Sequence, residues 1–481
     1  MRGITRRSFL ARALGTGTAA VLPGAGVLGA NTDIRLGFIG LGRRGSRLCD
    51  AFSKMAGVRV VALADPDREH LAAAKEKHPE AQAFTDLRDL LEEPDVDAVV
   101  IAACVHWNAV AAVWALEGGK HVYVEKPYSH NVWESRQVVE AARKHRRLVQ
   151  VGTQQRSDVF QDELRAFLHS GELGRMLSVR AVTYKLDNRH PIGLRPEPME
   201  PPPHIEYDLW LGGARDLPIY RDSLHYDWHW VWNSGGGDVI NWGAHVLDDV
   251  CNVVLRDPCE HPRACMAAGG RVLFNDAGET PNAFVGFYEM NQLPLSYEIF
   301  HIPLSKGDPR NSGTLYGTRA GFVVELEGGF YSGGRGGGTA FDNDRNRVAR
   351  FRGGGDHVAN FVTALREGRP ALLNAPVDTI HYSNCLGHLG NAVFRAGGPY
   401  DRLRAEEMAG AHPSWQRALA HFHERLEANG VEADGYPNLQ MSPLLAFDSA
   451  SEQFTGPNAT DAAQAFLRRE YRAPYVLAPQ A

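Results

Sequence analysis

The chain has 481 residues, 44% of them hydrophobic and 22% charged, with a formal net charge of -6. That length exceeds one compact core and implies two domains or one domain with large insertions. The acidic balance leaves no basic field for a nucleic acid, and beyond the N-terminus no apolar run is long enough to span a bilayer.

Residues 5–10 read TRRSFL, followed by a weakly apolar, Ala/Gly-rich stretch and small residues. That order is a bacterial export signal, and Arg6-Arg7 gives it the twin-arginine form. Residues 1–30 are therefore expected to be a signal peptide and the mature protein to be periplasmic or otherwise exported, with no transmembrane segment after signal removal. Cys49, Cys104 and Cys251 lie in apolar periodic segments and read as buried small hydrophobes. Export permits a disulfide, but the sequence requires none.

From Ile34 the pattern becomes strand, glycine loop, helix. IRLGFIG leads into Gly40-Leu41-Gly42-Arg43-Arg44-Gly45. Gly40 permits the tight turn, Gly42 lets backbone approach a pyrophosphate, and Gly45 lets the helix pack on the strand. A second strand, VRVVALA, ends at Asp65, 25 residues after Gly40. An acid there accepts from ribose hydroxyls and repels a 2′-phosphate, which favours NAD. Arg43, Arg44 and Arg68 keep NADP open. Further strands DAVVIAAC, HVYVE and LVQVG alternate with helices, so a parallel Rossmann sheet is expected over 31–155. His106, Trp107, Glu125, Lys126 and Gln154 fall at carboxyl ends of its strands, where ligands bind. Lys126, followed by a proline that ends the strand, is placed to hold a substrate hydroxyl and stabilise an alkoxide.

Beyond Gly174 the texture changes. MLSVRAVTYKL alternates apolar and polar residues, as a strand with one wet face does. A second α/β domain with an open, mostly antiparallel sheet is expected over 156–481. The Pro-rich segment 189–210 reads as extended. HYDWHWVW (225–232) offers aromatic rings for a carbohydrate, with Tyr184, Arg189, His229 and Trp230 as substrate-binding candidates. GGFYSGGRGGG (328–338) reads as a flexible surface loop.

GGGDVINWGAH (235–245) reads as a flexible lead-in to a helix capped by Asp238. Asn241, His245 and Asp249 then share a face, and His245 is the natural proton acceptor. No metal is expected, because His245 and Asp249 lack a third ligand at defined spacing.

Gly40–Gly45, Asp65, VYVEKP and VGTQQRS together resemble the Gfo/Idh/MocA oxidoreductases, a family that includes glucose-fructose oxidoreductase and inositol dehydrogenase. The resemblance implies a tightly bound nicotinamide cofactor, a sugar, sugar-derivative or cyclitol substrate, a catalytic or substrate-binding role for Lys126, His245 as the base and a homo-oligomer. Many members carry Asp four residues before that histidine. Asn241 stands there instead, which leaves Asp248, Asp249 or Lys126 to set the basicity of His245. An alternative within the same family is an NAD-dependent glycoside hydrolase acting by transient C3 oxidation and elimination.

Overall fold

The computed structural model describes residues 33–184, 191–257, 259–302 and 319–480. The expected signal peptide and Arg189 lie outside them.

Six strands, β1 (Ile34–Ile39), β2 (Val58–Ala64), β3 (Gln82–Phe84), β4 (Ala98–Ile101), β5 (His121–Val124) and β6 (Val149–Val151), form a parallel sheet in the order β3-β2-β1-β4-β5-β6. Helices cover both faces, which explains why β4 is an uninterrupted apolar run buried at every position. The strand order reverses between β1 and β4, and that is where an open α/β sheet leaves a crevice.

The second sheet contains β7 (Met176–Tyr184), β8 (Ala264–Gly270), β9 (Ala283–Glu289), β10 (Pro294–Phe300), β11 (Ala320–Leu326), β12 (Gly329–Gly334), β13 (Gly337–Asp342) and β14 (Arg347–Arg352). Their order is β14-β13-β12-β11-β7-β10-β9-β8, antiparallel throughout except for the β7–β10 pair. Its inner face, with Val179, Tyr297 and Ile299, packs against the helices Gly243–Val250 and Val377–Arg395. Its outer face carries Val182, Tyr184, Phe287 and Phe300. These lie under Trp415, Leu419 and Phe422 of the helix Pro413–Ala428. Much of the face expected to be open is thus roofed by the chain's own C-terminal helices. A buried charge cluster joins the layers: Arg180 Nη2 is 2.7 Å from Glu298 Oε1, and His421 Nδ1 is 2.8 Å from Glu298 Oε2.

Two glycine-rich stretches depart from expectation. The segment 328–338 is not a flexible loop but the β12–β13 hairpin with Arg335 at its tip. A Cβ at Gly333 or Gly338 would lie within 2.3 Å of the Tyr331 hydroxyl, so these positions admit only glycine beside that ring. Gly235–Gly237 are likewise packed rather than flexible. A Cβ on Gly235 would meet the His229 carbonyl at 2.4 Å, and Gly237 adopts φ +64° against Thr280. The following helix is capped by Gly236, and Asp238 lies inside it instead of capping it.

Candidate active site

Gly40 has φ +83°, and a Cβ there would lie 2.7 Å from the backbone of Ala102 and Ala103. A Cβ on Gly45 would sit 1.8 Å from the Gly40 carbonyl, whereas Gly42 has nothing nearer than His70 at 3.7 Å. The first and third glycines are thus demanded by the protein, and the second leaves space above the loop. Gly42 supplies no side-chain cap to the helix Arg43–Phe52, so its first-turn N–H groups remain for a phosphate. Asp65 is 6% exposed at the end of β2, where Oδ2 accepts from Leu41 N (2.6 Å) and Oδ1 from Asp67 N (2.8 Å). Burial raises its pKa against those two bonds. The carboxylate keeps further lone pairs for a ribose, and in this position it also anchors the glycine loop.

Across the crevice, Lys126 leaves the end of β5 and donates from Nζ to Asn241 O (2.9 Å) and Oδ1 (2.8 Å). Asn241 Nδ2 donates to Asp238 Oδ1 at 2.8 Å, and Asp238 Oδ2 lies 3.3 Å from His301 Nε2. Asn241 therefore passes the field of a buried carboxylate to Lys126. His245 is one turn further along, its Nδ1 buried without a hydrogen-bond partner. Burial first, then the positive charges of Lys126, Arg44 and Arg335, holds its pKa well below the usual imidazole value. Neither acid proposed as its partner serves it. Asp248 pairs with Arg156 Nη2 at 2.7 Å, and Asp249 accepts from Gln155 and, at 2.7 Å, from Gln161. Burial and these charges consequently favour the neutral form of the His245 ring, the form that can accept a proton.

Glu125 sits behind this pair. Arg44 Nη2 (2.7 Å) and Gln154 Nε2 (2.9 Å) both donate to its Oε1. Arg43 instead lies over the Tyr226 ring at 5.2 Å.

Three assignments change. Tyr184 does not reach the crevice: it is 4% exposed on the outer sheet face, its hydroxyl donating to Glu298 Oε2 at 2.8 Å. One residue of strand register decides this, because neighbouring side chains point to opposite faces. His106 and Trp107 are spent on the interior. His106 Nε2 meets the Trp210 carbonyl at 3.0 Å, with burial and then Arg469 lowering its pKa to about 4. Trp107 Nε1 donates to the Leu209 and Trp210 carbonyls at 3.0 Å. Both dock the insertion formed by residues 191–232 onto the first domain. Within that insertion Trp230 is buried, while Trp228 and His229 stack at 3.6 Å and keep exposed surface. Sequence reasoning missed Asp238, His301 and Arg335. Arg335 between glycines in an alternating segment was the available signal; nothing local marks His301.

Residues 34–153 match the family model GFO_IDH_MocA, described as "Oxidoreductase family, NAD-binding Rossmann fold". Residues 34–153 are thus similar to the NAD-binding Rossmann domain of the Gfo/Idh/MocA oxidoreductases. Inositol 2-dehydrogenase of Salmonella typhimurium is 34% identical to this chain over 154 residues, 31% of this chain and 46% of that one. A glycosyl hydrolase family 109 protein of Shewanella sp. is 37% identical over 118 residues, 23% of this chain and 26% of the other. The match thus spans about half, or less, of these Gfo/Idh/MocA relatives. The WlbA dehydrogenase of Bordetella pertussis, solved with NADH and UDP-GlcNAcA, shares the fold with a TM-score of 0.51 at 17% identity. That comparison covers 74% of this chain and 94% of WlbA.

Proposed function

We propose that the chain is an exported NAD-dependent oxidoreductase acting on a hydroxyl of a sugar, sugar derivative or cyclitol. The observation that carries this reading is the convergence of Lys126, held by Asn241, and His245, whose ring feels the Lys126 charge, at the carboxyl edge of an NAD-binding sheet. The loop Gly40–Gly45 and Asp65 would hold the dinucleotide, with the free N–H groups of the following helix available to its phosphates. NAD, when bound, supplies the two-electron acceptor for the C–H hydride. His245 takes the hydroxyl proton. Lys126 stabilises the alkoxide as that proton leaves, and the Asp238–Asn241 pair fixes the ammonium in place. The half-buried Trp228 and His229 are the aromatic candidates for stacking on a sugar.

The Shewanella relative keeps a second reading in view, in which transient oxidation precedes loss of an aglycone. The test is to purify the exported form, identify bound nucleotide by mass spectrometry, and screen free sugars and aryl glycosides. Net cofactor reduction on a free sugar supports the oxidoreductase. Aglycone release without net redox change supports the hydrolase. Failure to bind NAD or NADP sinks both. Export itself is checked by Arg6→Lys/Arg7→Lys, which should retain the protein in the cytoplasm.

A further inference from the structure

Three imidazoles converge on one carboxylate oxygen where the insertion meets the first domain. Asp67 Oδ2 lies 2.7 Å from His225 Nε2, 3.6 Å from His70 Nδ1 and 3.7 Å from His204 Nε2. Its other oxygen accepts the backbone N–H groups of Glu69 (2.8 Å) and His70 (3.4 Å), which fixes the carboxylate and leaves Oδ2 to the rings. The ligand atoms of Asp67, His70 and His225 all lie within 4.8 Å of one another. Ligands about 2.0–2.1 Å from a tetrahedral zinc are roughly 3.3 Å apart, and the three separations bracket that value.

The surroundings also favour a cation. Asp65 Oδ2 is 3.8 Å from His70 Nδ1, and Glu69 Oε1 is 3.6 Å from His204 Nδ1. The nearby Arg68 guanidinium is engaged by Glu206 and the Pro203 carbonyl. Another histidine cluster, His261, His381 and Cys385, lacks this character, because Arg136 Nη2 lies 2.8 Å from His381 Nε2 and brings a positive charge into it.

We propose that Asp67, His70 and His225 form a zinc site that clasps the insertion to the Rossmann domain, with His204 beside it, 3.7 Å from Asp67 Oδ2. His225 comes from the insertion, and the other two ligands open the helix Arg68–Lys77. The same edges already join through the Asp67–Ile205 bridge and the Glu206 N–Pro66 O bond of 2.8 Å. Two imidazoles and one carboxylate are a zinc-type donor set, in contrast to the all-oxygen sets of magnesium or calcium. This departs from the metal-free expectation of the sequence and does not depend on the oxidoreductase reading.

The full chain, purified without a polyhistidine tag, should carry about one zinc per molecule by elemental mass spectrometry. After chelator dialysis, added zinc should raise Tm by a few degrees. His70→Ala/His225→Ala, which spares the Asp67 helix cap, should lower zinc affinity at least tenfold and abolish that rise. Its metal-free Tm should stay close to that of the parent. Zinc binding weaker than about 10 μM by calorimetry, or equal binding by the double variant, overturns the proposal. Nucleotide content is measured on the same samples, so loss of zinc with NAD retained leaves the functional reading standing.

Discussion

Replacing Arg180 with methionine tests which face of the second sheet is interior. Arg180 Nη2 lies 2.7 Å from Glu298 Oε1, and Glu298 is 0% exposed. Burial opposes ionisation of Glu298, yet Arg180 and His421 outweigh it and bring the carboxyl from 4.5 to about 2. The folded value is below the unfolded one, so the ionised form stabilises the fold above about pH 4.5. That contribution is lost as pH falls from there towards 2. At about 1.4 kcal/mol per pKa unit it amounts to roughly 3 kcal/mol near neutrality. Removing one partner of a buried pair costs about 3–5 kcal/mol, in the same range. Urea unfolding of Arg180→Met and its parent at pH 7 should show a gap of about 3 kcal/mol, at least about 1 kcal/mol smaller at pH 3.5. A gap below about 1 kcal/mol at pH 7, or one of equal size at both pH values, would refute the reasoning.

Further outcomes follow from the crevice and the packing. Lys126→Ala and His245→Ala should each abolish turnover while leaving the circular dichroism spectrum and Tm near those of the parent; near-normal turnover in either removes that residue from the chemistry. Asp238→Asn removes a charge-assisted bond worth about 1.5–3 kcal/mol, so kcat should fall about 10- to 100-fold with bound nucleotide retained. A change under threefold would deny the relay through Asn241. Because His245 titrates well below 6.5, kcat/KM should hold its value as pH falls through 6.5 and drop only at lower pH. An acid limb centred at or above 6.5 would assign the proton acceptor elsewhere. Gly333→Ser puts a side chain into the Tyr331 hydroxyl and should destabilise the hairpin by about 1–3 kcal/mol in denaturant unfolding.

Local spacing was enough to place the glycine loop, Asp65, Lys126 and His245, because each belongs to a strand end or helix whose own period announces it. The Asn241 departure was legible too. Its consequence was not: Lys126 and Asn241 are 115 positions apart in sequence, and Asp238 meets His301 across the sheet. Tyr184 shows the same limit. Alternation in MLSVRAVTYKL established a strand, but which face turns inward depends on the helix Pro413–Ala428 far along the chain. The opening glycines of GGGDVINWGAH looked flexible because sequence gives their freedom and not their neighbours. The sequence by itself determined the elements and the places of the glycine loop, Lys126 and His245 at strand ends and on a helix. Tertiary structure alone decided which charges surround His245, which aromatics keep a free face and where the histidines of the insertion gather, since each of those rests on contacts between segments that no local period links.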